Sequence, residues 1–174
     1  MSLKELTHDN HVLAEAHPFT RVLLSGNISA EVYAGLLANQ LMQYTALETQ
    51  AQHLLAEVPG LARAEYINQD LQELEFAPNI CSSTLHYVEY IKTLTDPKLL
   101  WAHIYVKHMG DLFGGQILKK LVPGSGRMYQ FENRAELIKQ VRAQLCDSMA
   151  AEANRCFTQT LQLFTELANE HHIQ

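Results

Sequence analysis

The sequence predicts an all-α fold, a single compact helical bundle spanning residues 1–174. Three observations point that way. Apolar residues recur at helical spacing along almost the whole chain. No segment alternates apolar and polar residues as a half-buried strand would. Capping residues and Asp-Pro or Pro-Gly pairs divide the periodic stretches at ordinary helix lengths.

The elements follow in order. "SLKELTHDNHVLAEA" opens on Ser2 as an N-cap, with Leu3, Leu6 and Leu13 on one apolar side. A second helix is expected from about Ser29 to Glu57. Tyr33, Leu37, Leu41, Tyr44, Leu47 and Leu54 form its stripe, and Pro59-Gly60 ends it. A third, about 61–76, stops before Pro78, and a fourth, about 82–94, follows Ser82 and Ser83. Asp96-Pro97 places an N-cap before a proline at the first helical position, so a fifth helix starts there and runs to about Leu121. "VPGSGRMYQFEN", 122–133, reads as a loop. Residues 134–169 read as one or two helices, with Ala150, Ala153, Phe157, Leu161, Phe164 and Ala168 on one stripe. No repeat, low-complexity run or domain linker interrupts the series.

Composition narrows the class. The chain is 47% apolar and 18% charged, which suits one globular domain with a core that needs no staples. A net charge of −6 argues against general nucleic-acid binding. Cys81, Cys146 and Cys156 are odd in number, far apart and without a CxxC pair, as expected of reduced thiols. The N-terminus lacks an apolar signal core, no apolar run reaches the roughly 18–20 residues of a membrane span, and the C-terminus is polar. The expectation is a soluble, cytoplasmic protein that engages neither membrane nor nucleic acid.

"HMGDLFGGQILKK", 108–120, sets the functional question. Each glycine inside a helix costs about 1 kcal/mol relative to alanine, yet Gly110, Gly114 and Gly115 all fall here. A phosphate-binding loop fails because Gln116 stands where lysine is required, and a dinucleotide fingerprint fails on spacing. Two readings survive. Gly110 and Gly114, at i and i+4, can seat another helix closely, or they can let the backbone touch a flat ligand. A third glycine exceeds what one packing contact needs. Asp111 beside the glycines suits a polar pocket that holds water.

A second oddity lies at the N-terminus. Lys4, His8, His11 and Glu15 share one helical stripe. Such a stripe is ordinarily a solvated face. Chemically it offers a neutral imidazole, His11, with a carboxylate one turn on that can orient the ring. One histidine makes a poor zinc site but suffices as an axial heme ligand.

These residues resemble the heme oxygenase family. "GDLFGGQILKK" is similar to its distal-helix signature, GDLSGGQ followed by an aliphatic pair and lysines. "LKELTHDNHVLAE" resembles its proximal-histidine segment, "QYTALE" its second-helix tyrosine segment, and "LWAHIYVKHMGDL" the approach to the distal glycines. "LQLFTELAN" resembles the closing helix. The order is kept over nearly the whole chain, with a shortened stretch before the last helix.

The resemblance implies roles. His11 is the proximal ligand of heme iron and Glu15 its partner. Gly110 and Gly114 lie against the distal face of the heme. Asp111 holds a water network that supplies a proton there, and Tyr44 belongs to the same network. Lys4 and Tyr105 match positions that contact the propionates. Arg142, or alternatively Lys139, is the basic residue of the penultimate helix. Lys107, Gly115 and Phe157 complete the expected heme contacts. Phe113 replaces a serine, Lys107 an arginine, His108 an aromatic and Thr160 an asparagine, changes that bear on the distal network and on regiochemistry.

The activity implied is oxidative opening of heme b, which is both substrate and cofactor. Dioxygen and external electrons would yield biliverdin, as the α isomer, with carbon monoxide and ferrous iron. Electrons would come from a ferredoxin or other reductase, with Lys119 and Lys120 as weak candidates for its docking, and a bilin reductase would act downstream. A heme-binding or storage protein without turnover is the alternative, motivated by Phe113 and Lys107. A di-iron oxygenase needs several inward carboxylates with two Glu-x-x-His pairs, and only Glu5-Leu6-Thr7-His8 has that spacing; a cysteine hydrolase has no motif that singles out a thiol. His53, His86, His103, His171 and His172 read as surface or core residues, and Met128 and Tyr129 receive no role.

Overall fold

A computed structural model describes all residues, Met1–Gln174. It contains eleven α-helices, one π turn, two 3-10 turns and no strand. Helix α1 (Leu3–Leu6) carries the expected Ser2 cap: Ser2 Oγ accepts from Glu5 N at 3.3 Å, and Ser2 N donates to the Glu5 carboxylate at 2.6 Å. The helix breaks at Thr7, whose hydroxyl bonds the Leu3 carbonyl at 2.9 Å. Helix α2 (His8–Ala16) then starts afresh, so Lys4 and His11 are not on one continuous helix. No residue of α2 is buried.

The next helix, α3 (Pro18–Leu24), is absent from the sequence expectation. His17 is held extended before Pro18, as a residue preceding proline is, and its Nδ1 caps Phe19 N at 3.0 Å. Phe19 and Leu23 are buried, so this short helix belongs to the core.

Helix α4 (Ala30–Gln50) is the central pillar; it starts where expected, with Ser29 as its N-cap. Tyr33, Leu37, Tyr44 and Leu47 are buried on it, while Leu41 and Leu54 of the expected stripe are half-buried. The expected single helix to Glu57 breaks at Ala51 into α4 and α5 (Gln52–Leu55). Helices α6 (Ala64–Leu74) and α7 (Ser82–Lys92) flank α4 and end close to their expected limits. Helix α8 (Pro97–Ile104) starts on Asp96, whose carboxylate caps Lys98 N at 2.9 Å. It widens into a π turn, Tyr105–Met109, and continues as α9 (Gly110–Leu118). Helices α10 (Arg134–Arg142) and α11 (Ala150–Glu170) close the bundle.

The core has two parts joined by α4. Leu47, Leu61, Ile91, Leu100, Ile104 and Leu112 centre one, and Tyr33, Leu36, Ile67, Met128 and Tyr129 centre the other. The 122–133 loop is pinned to the second. The Asp70 carboxylate accepts from Arg127 N and Met128 N, both at 2.9 Å. Buried Arg63 donates to the carbonyls of Gly60 and Gln130 at 2.7 and 3.0 Å. These bonds hold Tyr129 under α9.

Candidate functional site

The glycines of α9 divide by face. A Cβ at Gly110 or Gly114 would meet nothing within 4 Å, whereas one at Gly115 would lie 2.7 Å from Tyr129 Cδ1. Gly115 is therefore the packing glycine, pressed on an aromatic ring, and this contact alone accounts for its lack of a side chain. Gly110 and Gly114 seat no other part of the chain. With Phe113 and Ile117, 46% and 61% exposed, they make a face that is open and largely apolar. The π turn immediately before Gly110 is a device common at functional sites.

Asp111 points the other way and is buried. The Tyr44 hydroxyl donates to its Oδ2 at 2.6 Å. Its Oδ1 has no donor within the protein and is not sealed from solvent. Burial pushes this carboxyl up to about 6, and the Tyr44 bond and the cations His108, Lys107 and Arg63 pull the other way. Burial and the neighbouring carboxyl push the Tyr44 phenol well above its ordinary value.

Two side chains behind Asp111 settle differently from expectation. The Lys107 ammonium donates to Gln43 Oε1 at 2.7 Å and lies 4.7 Å from the Tyr87 ring centre. It is buried behind Asp111, turned toward Gln43 and Tyr87; desolvation lowers its pKa. His108 bonds Glu48 through Nε2 at 2.8 Å, and its ring lies 5.0 Å from that of Tyr44. Glu48 also accepts from Arg63 N and Ala64 N, at 2.6 and 2.9 Å, and so ties the site to α6. The sequence carried a signal for Glu48 that went unread: it stands four residues after Tyr44 in "QYTALE", on the same helical face.

Opposite features gather at the N-terminus. His11 and Glu15 are 56% and 67% exposed, with Nε2 and Oε1 3.5 Å apart. That is too long for a strong bond, and the exposed ring is free to turn so that either nitrogen can ligate. The Phe157 ring stands edge-on to His11, with centroids 6.2 Å apart. Asn10 donates to Asn154 at 2.9 Å, and Asn154 donates to the Leu6 carbonyl at 3.2 Å, fastening α2 to α11. Sequence reading found neither asparagine. Tyr105 meets Thr7 at 3.4 Å, oxygen to oxygen, beside the α1–α2 break. Lys4 is exposed on α1.

On α10, the Arg142 guanidinium lies 5.5 Å from the Phe113 ring centre, and Arg134 lies 5.4 Å from it. Arg142 thus reaches the open face of α9. Lys139 and Arg142 are both exposed, and of the two Arg142 is the one placed against the Phe113 ring.

The arrangement is two walls of complementary character. One presents an exposed imidazole beside a phenyl ring. The other presents bare helix backbone with a carboxyl behind it and guanidinium groups at its edge. No three His, Cys, Asp or Glu side chains converge in a cluster that could hold a metal ion. Comparison with known sequences then decides the family, because the profile described as "Heme oxygenase" matches residues 1–167.

The chain belongs to the heme oxygenase family.

It is 32% identical to heme oxygenase 2 of Oryctolagus cuniculus over 95% of its own length and 64% of that protein. It therefore spans just under two thirds of that relative. Heme oxygenase 1 of Synechocystis is 28% identical, over 95% of this chain and 82% of that one. The fold agrees with the crystal structure of Synechocystis heme oxygenase-1 in complex with heme, at a TM-score of 0.85 and 26% identity over 97% of this chain and 91% of that one. The heme oxygenase of Leptospira interrogans aligns at a TM-score of 0.83 and 27% identity, covering 95% of this chain and 100% of that one. The all-α architecture read from the sequence is the architecture of this family. No helix is long and apolar enough to cross a membrane.

Proposed function

We propose that this chain opens the ring of heme b with dioxygen and externally supplied electrons, giving biliverdin, carbon monoxide and ferrous iron. The observation that carries the reading is the division of the glycines. Two, at the start and the middle of α9, face open space, and the third alone is explained by packing. A flat ligand fits a helix surface without side chains, and the apolar face formed with Phe113 and Ile117 suits a porphyrin.

Heme, when bound, supplies the iron that activates dioxygen and the ring that is opened. The rest falls to side chains. His11 holds the iron and Glu15 orients the ring. Gly110 and Gly114, bare of side chains, would let helix backbone lie close against the porphyrin and limit the space beside it. Asp111 holds a water on its free Oδ1, with Tyr44 fixing the other oxygen. A carboxyl raised to about 6 is ionised at neutral pH yet basic enough to hold and return a proton. Arg142 and Tyr105, with Lys4, receive the propionates, and Phe157 packs beside the imidazole. We assign the α isomer as product, an acidic ferredoxin or another reductase as donor, and a bilin reductase as consumer. Arg134, Lys139 and Arg142 offer the donor a basic edge, with Lys119 and Lys120 further along. Three unpaired cysteines suit the reducing cytoplasm.

A heme-binding role without turnover is the second reading. Its motive is Phe113, which puts a large, 46% exposed ring on the open face, 5.4 Å from the Arg134 guanidinium. Hemin with a reducing system under air separates the two. Loss of the Soret band with biliverdin absorbance establishes turnover, and chromatography gives the ring position. A stable, shifted Soret band means binding alone.

The glycines give a paired prediction. Gly115→Ala is expected to destabilise the fold by about 1–3 kcal/mol through overpacking on Tyr129. Gly114→Ala meets no obstacle, so its folding stability should hold or rise by up to about 1 kcal/mol. Hemin titration of that stable variant should show weakened binding. Equal hemin affinity in Gly114→Ala and the parent would place the ligand elsewhere.

A further inference from the structure

Buried His108 takes part in no step described above. Its ring is tied on one side only: Nε2 lies 2.8 Å from Glu48 Oε2, while Nδ1 is sealed in the core without a partner. Glu48 dictates how that bond runs. Its Oε2 also accepts from Arg63 N at 2.6 Å and its Oε1 from Ala64 N at 2.9 Å, and backbone amides can only donate. Burial pushes the Glu48 carboxyl up, but the His108 bond and the two amides outweigh it and hold the pKa below its ordinary value. An ionised carboxylate is purely an acceptor. Nε2 therefore carries the hydrogen of this bond, and the imidazole is fixed in orientation by a single anchor.

The anchored ring faces Tyr44. Their centroids are 5.0 Å apart with planes at 52°, a favourable aromatic contact. The Lys107 ammonium lies 5.6 Å from the centre of the same phenol ring. Tyr44 and Glu48 are one turn apart on α4, so the anchor and the ring it supports rise from one helical face. Tyr44 commits its hydroxyl to Asp111 Oδ2 at 2.6 Å, which leaves Oδ1 to the pocket. Which carboxylate oxygen meets the pocket thus depends on where the phenol points. The titratable and charged groups that act here are Glu48 and Tyr44 on α4, Arg63 before α6, Lys107 in the π turn, Asp111 one turn after His108, and the Tyr129 phenol.

We propose that His108 is a positioning residue of the distal site: Glu48 locks its ring, the ring sets the Tyr44 phenol, and the phenol fixes which oxygen of Asp111 faces the pocket. This rests on the role given to Asp111 in the ring-opening reading.

The first measurements need no heme. Long-range proton–nitrogen NMR of the His108 ring in the parent chain should show a hydrogen on Nε2 at neutral pH. Carbon-detected titration of the Asp111 carboxyl should then give a higher pKa in His108→Phe, by about one unit, because the Tyr44 bond and His108 both pull that carboxyl down. Phenylalanine fills the imidazole's space, and Glu48 keeps its two amide donors, so the variant should fold. With hemin and a reducing system, His108→Phe should form biliverdin about tenfold more slowly, the scale of loss when a reacting group is misplaced. In a Tyr44→Phe background the same substitution should change the rate less than about twofold, since the link through the phenol is already cut. A bare Nε2 in the parent overturns the proposal, and that result does not depend on any variant. An Asp111 titration unmoved by His108→Phe overturns it too, as does an equal loss of rate with and without the Tyr44 hydroxyl. A moved Asp111 titration in a chain that makes no biliverdin at all would strike the ring-opening reading and leave His108 as the residue that positions Asp111.

Discussion

Asp111→Ala should bind hemin with an unaltered Soret band and lose biliverdin formation by about a hundredfold or more. That is the range expected when a positioned proton-transfer group is removed. Tyr44 would lose its acceptor and the distal water its anchor. Full product yield from this variant would remove Asp111 from the chemistry. The same carboxyl has a stability signature with a definite sign. Burial raises it from an ordinary 3.8 to about 6. Between those values the folded chain keeps a proton that the unfolded chain releases, so its stabilising contribution is complete at low pH and lost as pH rises through about 6. The difference corresponds to roughly 3 kcal/mol. Asp111→Asn, which still accepts from Tyr44, should therefore stabilise the heme-free chain by about that much near pH 8 and by little near pH 3. Denaturant melts at the two pH values check it. Equal effects at both would mean that the carboxylate is better solvated than its burial implies.

His11→Ala should change the ligand field of ferric heme and weaken its binding by roughly 2 kcal/mol, about thirtyfold. Added imidazole should restore the parent spectrum, because the wall around His11 is open and Phe157 stays in place. A spectrum identical to the parent's, without added imidazole, would remove His11 as ligand. Glu15 is coupled to this result: at 67% exposure its influence on the ring is screened, so Glu15→Gln should move the spectrum far less.

The bundle was legible because its signals are local. Ser2 and Asp96 cap helices where their side chains announced it, and Pro97 sits at the first helical position. Helix α3 was missed because seven residues barely show a period, and its start depends on the His17 ring capping a backbone amide. The breaks at Thr7 and Ala51 arise from backbone turns that no composition marks. In the site, the spacing of Gly110 and Gly114 was legible, but which glycine packs was not. That depends on Tyr129, placed under α9 by Asp70 and Arg63 from a distant helix and loop. The inward turn of Lys107 was not legible for a similar reason. Its partner Gln43 lies 64 residues away, and only the fold shows that this long side chain turns inward.

Helix α2 buries none of its nine residues, and Val12 and Leu13 stand 44% and 56% exposed. A helix this short is not stable on its own propensity, so it depends on a few tethers such as the Asn10–Asn154 bond. The proximal wall therefore has its own local opening equilibrium, well below the free energy of global unfolding. A porphyrin seated on it would act as its missing core, and occupancy would be coupled to the order of this one segment. Amide exchange in His8–Ala16 should be fast in the free chain, slow with heme, and fast again once the rigid macrocycle has been cut. Affinity for the planar substrate and release of its flexible product would then be two readings of one helix's folding.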